Sequence, residues 1–171
     1  GHVRWATVGN INSQNAHPFE TENLIAAHNG TLIKSEYHKD KDKTDSEMMF
    51  IDMEKRGVKE VLGGLSIMDA YAISVYEKNK GILHLSRNID RPLAFAVHRT
   101  RSVIYWGSDY NYLKLSLDKK DIVGVDFYRV EVNQIYTFDV TKIKPGVISW
   151  TKEAVTRKPF FLGSMDNGDF N

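Results

Sequence analysis

Thr44-Asp45-Ser46-Glu47-Met48-Met49-Phe50-Ile51-Asp52-Met53-Glu54-Lys55-Arg56-Gly57 reads as one capped helix. Thr44 or Asp45 serves as N-cap, and Glu47 in the first turn suits the positive end of the helix dipole. Met48, Met49 and Met53 form an apolar stripe for core packing, and Gly57 stops the helix. A second short helix is expected over residues 58–62, ending at Gly63-Gly64. Beyond it the period changes. Residues 70–77 carry β-branched and aromatic side chains, 78–81 turn, and 82–86 return as a hairpin partner. Residues 93–98 and 102–106 form a second hairpin across Arg99-Thr100-Arg101, and 110–117 read as a short helix. Residues 127–132 and 134–140 make a third strand pair around Asn133, and Pro145-Gly146 turns into a strand at 147–150.

Upstream, residues 1–34 read as strands and loops, with a strand at 23–27 leading into His28-Asn29-Gly30. The span 34–43 is dense in Lys, Asp, His and Glu and predicts a solvated, mobile loop. A helix pair followed by successive hairpins defines an α+β class. Residues 1–150 are expected to form one domain, with 151–171 as a C-terminal tail.

The 171 residues hold 23 Lys plus Arg against 22 Asp plus Glu, a formal charge of +1. That balance calls for neither nucleic acid nor an anionic membrane as partner. No apolar run approaches the roughly 18 residues of a membrane span. There is no cysteine, which excludes disulfides and cysteine-ligated metals. A cytoplasmic enzyme fragment is the plain expectation.

Four short motifs carry the chemistry: Gly1-His2-Val3-Arg4-Trp5-Ala6-Thr7-Val8-Gly9, Asn15-Ala16-His17-Pro18, His28-Asn29-Gly30 and Thr44-Asp45-Ser46-Glu47. An arginine for a carboxylate, an aspartate for an ammonium and an Asn-Gly donor pair for a polarised carbonyl suit a small zwitterionic ligand. Taken singly each has a plainer use. Arg4 could form a surface ion pair, Trp5 could anchor the core, Asn29-Gly30 could be a turn, and Asp45 could simply cap a helix. His2, His17 and His28 fit no metal-ligand spacing, so no metal is expected.

In their order these motifs resemble those of the class II glutamine amidotransferases, the family of glucosamine-phosphate synthase and amidophosphoribosyltransferase. Members are N-terminal-nucleophile hydrolases. Arg87-Asn88-Ile89-Asp90-Arg91-Pro92-Leu93 and Gly107-Ser108-Asp109 extend the likeness more weakly, and here Arg87 and Asp109 are expected to brace the sheet and the turn after it. Val8 departs from the histidine of glucosamine-phosphate synthase. The resemblance implies a four-layer αββα sandwich, here expected to lack its first strands and helix. It implies that Arg4 binds the glutamine α-carboxylate, Asp45 holds the α-ammonium, and Trp5 and Thr7 line the pocket. Asn29 and Gly30 would form the oxyanion hole, while His17 and His28 would be structural hydrogen-bonders. No cofactor is implied. Glutamine and a synthetase or transferase domain or subunit would be the partners. Family members attack the amide with an N-terminal cysteine, whose segment is expected upstream of this chain. As written, the chain should not turn over glutamine by that mechanism. Two alternatives stay open: an inactive ligand-binding or assembly module, and an amidohydrolase of the same class with a Ser or Thr nucleophile.

Overall fold

The computed structural model describes residues 15–33, 35–40 and 42–157. In chain order the elements are β1 (Phe19–Glu20), β2 (Leu24–Thr31), α1 (Asp45–Arg56), α2 (Val58–Gly63), β3 (Ala70–Glu77), β4 (Ile82–Arg87), β5 (Ala94–His98), β6 (Ile104–Gly107), α3 (Tyr110–Asp118), β7 (Val125–Arg129), β8 (Gln134–Asp139) and β9 (Thr151–Ala154). The strands form two antiparallel sheets, one ordered β1-β2-β3-β4-β8-β9 and the other β6-β5-β7.

Side-chain alternation along the strands sorts the core into three apolar layers. On β3, Tyr71, Ile73 and Val75 face α1 and α2, meeting Met49, Phe50, Met53, Val61 and Leu62. The intervening Ala72 and Tyr76 face the other sheet, with Leu85 and Phe138 beside them and Phe95 and Val97 opposite. The outer face of β5 carries Ala94 and Ala96, small enough for Leu113 and Leu117 of α3 to pack close. Helix pair, large sheet, small sheet and single helix therefore stack in the order αββα. The α+β class and the layer order match the sequence-based expectation.

Local chemistry explains the helix boundaries. Thr44 Oγ1 accepts the Glu47 N–H at 3.1 Å, completing the N-cap. Gly57 closes α1 with a left-handed φ of 91° and donates its N–H to the Met53 carbonyl at 2.8 Å. Met49 and Met53 are buried and Met48 packs against them, as the stripe predicts.

Three expectations need correction. The charged span before α1 is not a plain solvated loop. Ser35–His38 forms a 3-10 turn in which buried Tyr37 donates its hydroxyl to Asp52 at 3.0 Å, and the His38 ring meets the Leu32 carbonyl at 2.6 Å. One buried aromatic outweighs the surrounding charge. Second, β7 and β8 are not a hairpin: β7 pairs with β5 and β8 with β4. Between them Val130 enters the inter-sheet core and donates its N–H to Leu93, and Asn133 takes a positive φ of 55°. The chain crosses from sheet to sheet there. Third, residues 147–150 hold only an isolated bridge between Val147 and Lys144, and the strand is β9, paired with β8. Trp150 is instead drawn onto Phe95 and Phe138, with ring centroids 5.2 and 5.7 Å away. Among the described residues no helix is long and apolar enough to cross a membrane.

Candidate active site

Two of the motifs, His28-Asn29-Gly30 and Thr44-Asp45-Ser46-Glu47, lie at one end of the large sheet, where β2 ends and β3 begins. Gly30 pairs with Tyr71. Tyr71 spends both of its backbone groups on Asn88: its N–H donates to Asn88 Oδ1 at 3.1 Å, and its carbonyl accepts the Asn88 N–H at 2.9 Å. Gly30 and Tyr71 are therefore a non-hydrogen-bonded pair, so the Gly30 N–H and C=O point away from β3. On that side β1 reaches only Ile25 and Ala26. Among the described residues no strand covers the edge at Gly30, whose N–H stands there as a donor. Asn29 pairs with Ala72, shares its inter-sheet face and is exposed. Two hydrogen-bond donors thus lie side by side at an edge that no described strand covers.

Position 30 admits only glycine. An added Cβ would run into the Ala70 carbonyl and lie 2.6 Å from His28 Nε2. The space above Gly30 belongs to the His28 ring, which crosses it to reach the Ala70 carbonyl at 3.2 Å. The other ring nitrogen, Nδ1, meets the Ser46 hydroxyl at 2.8 Å.

Asp45 sits buried in the first turn of α1. Its Oδ2 accepts the Leu32 N–H at 2.8 Å, and its Oδ1 accepts the Ser46 N–H at 2.9 Å. The carboxylate is thereby fastened two residues beyond Gly30, and its Oδ2 keeps a lone pair for a further donor. Asn29 and Gly30 are consecutive on β2, and Asp45 is tied to the end of the same strand through Leu32. Arg4, Trp5 and Thr7 lie outside the described residues.

Two supports escaped the sequence reading. Asp69, fully buried, accepts the Ile33 N–H at 2.7 Å and the Ser66 N–H at 2.6 Å. Asn88 donates its amide to the Asp69 carbonyl while bonding Tyr71. The available signal was position: each flanks an apolar strand run, where a buried polar side chain can satisfy turn backbone. Arg87 does brace the sheet, donating to the Val130 carbonyl at 2.7 Å, and Asp109 caps α3 through the Asn111 and Tyr112 N–H groups. Among the described residues no three His, Cys, Asp or Glu side chains are grouped to hold a metal ion.

The αββα stack of antiparallel sheets is the fold of the N-terminal-nucleophile hydrolases. Residues 1–73 match the family described as glutamine amidotransferases class-II. A glutamine–fructose-6-phosphate aminotransferase (isomerizing) of Streptococcus pneumoniae is 40% identical over 81 residues, covering 42% of this chain and 13% of that protein. The Bacillus cereus enzyme of the same name is 27% identical over 184 aligned positions, covering 99% of this chain and 29% of its own length. Among solved structures, glutamine phosphoribosylpyrophosphate amidotransferase from Bacillus subtilis superposes with a TM-score of 0.60 at 20% identity, over 90% of this chain and 34% of that one. A second, the allosteric regulatory enzyme of purine biosynthesis, gives 0.61 at 21% identity with the same coverage. In motif order, family match and fold, the chain resembles the class II glutamine amidotransferases. It spans less than a third of the length of these two curated relatives.

Proposed function

We propose that this chain is the glutamine-binding and amide-hydrolysing part of a class II glutamine amidotransferase. The observation that carries the reading is the Gly30 N–H, turned away from β3 toward an edge that no described strand covers, beside Asn29 and two residues from Leu32, which Asp45 holds. In this reading Arg4 binds the α-carboxylate, Asp45 takes the α-ammonium, and Trp5 and Thr7 line the pocket. The 171 residues hold no cysteine, and the attacking thiolate is assigned to a residue upstream of Gly1.

The thiolate adds to the glutamine Cδ, helped by an α-amine whose pKa is about 8. The resulting oxyanion accepts hydrogen bonds from the Asn29 side-chain amide and the Gly30 N–H. Collapse breaks the C–N bond, and the nitrogen leaves as ammonia after gaining a proton. Water then hydrolyses the γ-glutamyl thioester to glutamate and restores the thiol. The ammonia passes to a synthetase or transferase domain or subunit that aminates an acceptor. The amidotransferase domain extends past residue 150, the expected start of a tail, because β9 (Thr151–Ala154) is an edge strand of the large sheet and Val155 packs in its core; the protein is read as cytoplasmic.

The test is glutamate release from glutamine by the protein expressed from its source gene, with its intact mass and N-terminal sequence determined. Stoichiometric glutamate and ammonia from a chain bearing an N-terminal cysteine support the reading. The second reading is an inactive module that binds glutamine. Saturable glutamine binding without glutamate formation would establish that instead.

A further inference from the structure

The imidazole of His28 is a second physical link between the two ends of the site, beside the Asp45–Leu32 hydrogen bond. It leaves β2 on the face opposite Asn29, passes over Gly30, and touches two other elements: the Ala70 carbonyl at the start of β3 and the Ser46 hydroxyl in the first turn of α1. The Ala70 carbonyl can only accept, so Nε2 carries the hydrogen, and Nδ1 meets the Ser46 hydroxyl. Ser46 in turn donates its backbone N–H to Asp45 Oδ1, with its hydroxyl 3.4 Å from the same oxygen. A continuous chain of contacts therefore runs from Gly30 through His28 and Ser46 to Asp45.

We propose that His28 is a positioning residue, one that fixes the distance between the oxyanion donors Asn29 and Gly30 and the ammonium-holding carboxylate of Asp45. This rests on the function proposed above. Glutamine has a fixed length between its α-carbon and its amide carbon. A site that grips both ends depends on their separation being held, and a displacement of about 1 Å costs on the order of a hundredfold in rate. His28 touches neither end of the substrate in this scheme. It acts beside the Asp45–Leu32 hydrogen bond: apolar packing of α1 on the sheet tolerates sliding, and the two contacts of the rigid ring add a second polar tie at this strand end. Glycine at 30 is the counterpart of this arrangement, since any side chain there would evict the ring.

The two arms of the ring can be cut separately. In His28→Gln the side-chain amide reaches toward Ala70 and gives up Ser46. In His28→Asn the shorter amide reaches Ser46 and gives up Ala70. Ser46→Ala removes the helix arm from the other side. With the protein expressed from its source gene, kcat/KM is measured for glutamine and for glutaramate, which is glutamine without its α-ammonium. All three variants are expected to lose roughly ten- to a hundredfold with glutamine and several-fold less with glutaramate. Equal losses on the two substrates, or no loss, would overturn the link. Amide hydrogen exchange at Leu32, whose N–H Asp45 holds, gives a readout free of catalysis. It should accelerate in Ser46→Ala and His28→Gln, and an unchanged rate overturns the proposal even in a protein that hydrolyses nothing. Wild-type protein that leaves glutamine intact while Leu32 exchange accelerates refutes the function and upholds the link.

Discussion

The backbone N–H of Leu32 is held by the side chain of Asp45 at 2.8 Å, tying the end of β2 to the start of α1. A carboxylate committed to two backbone donors is at once a structural tie and a fixed negative charge. Asp45→Asn keeps one acceptor oxygen, removes the charge and puts amide hydrogens against a donor. The variant should lose about 1–3 kcal/mol of stability in denaturant unfolding. Its KM for glutamine should rise steeply, while its KM for glutaramate barely moves. A rise in both would show that the charge is not used for the ammonium.

Asn29 is exposed on its strand and makes no contact that the fold depends on, so Asn29→Ala should unfold at the wild-type denaturant midpoint. Its kcat for glutamine should fall about a hundredfold or more, with a smaller change in KM. Arg4→Ala should do the reverse, raising KM steeply. Equal, mild losses in both parameters for both variants would sink the role assignment.

Gly30→Ala tests the close approach beneath His28. The added methyl meets the Ala70 carbonyl and the His28 ring, so either the ring leaves or β2 shifts. A stability loss of about 1–3 kcal/mol is expected, together with loss of glutamate formation. A fully stable and active Gly30→Ala protein would refute the geometry at this strand end.

A pH effect belongs to the other end of the large sheet, where His84 Nε2 lies 2.8 Å from Glu77 Oε1 and Lys80 also reaches Glu77. Burial pushes the Glu77 carboxyl up, but hydrogen bonds from Lys80 and His84 outweigh it and hold the pKa below the ordinary carboxylate value. A depressed carboxyl pKa stabilises the fold above the unfolded pKa, and that contribution disappears as pH falls through the folded one. The Glu77→Gln variant should therefore show a shallower loss of stability than wild type between about pH 5 and pH 3. Parallel curves for the two proteins would rule the contribution out.

The helices and the first two hairpins were legible because their signals are local. Thr44, Gly57 and the methionine stripe mark α1, and the alternation of 70–77 and 82–86 marks β3 and β4. Of the site, motif order leads to Asn29 and Gly30 on β2 and to Asp45 at the start of α1, which Leu32 ties to the same strand. What stayed hidden depends on partners distant in sequence. Tyr37 looked like part of a charged loop because Asp52, which holds its hydroxyl, lies on α1. The strands at 125–129 and 134–139 alternate like a hairpin. Only the burial of Val130 between sheets sends them apart. Asp69 and Asn88 bond to backbone from other elements, which leaves no period in the sequence.

The outer strands of the large sheet also bear on how the protein behaves in crowded solution. β1 is two residues long, and β9, at the opposite margin, is exposed along its whole length and bears Lys152 and Glu153. Those charges are engaged sideways, Lys152 with Glu131 and Glu153 with Lys59, so an incoming foreign strand would have to strip ion pairs before it could add. Short or charged margins of this kind discourage end-to-end polymerisation. Both margins of the described large sheet are therefore poor templates for aggregation.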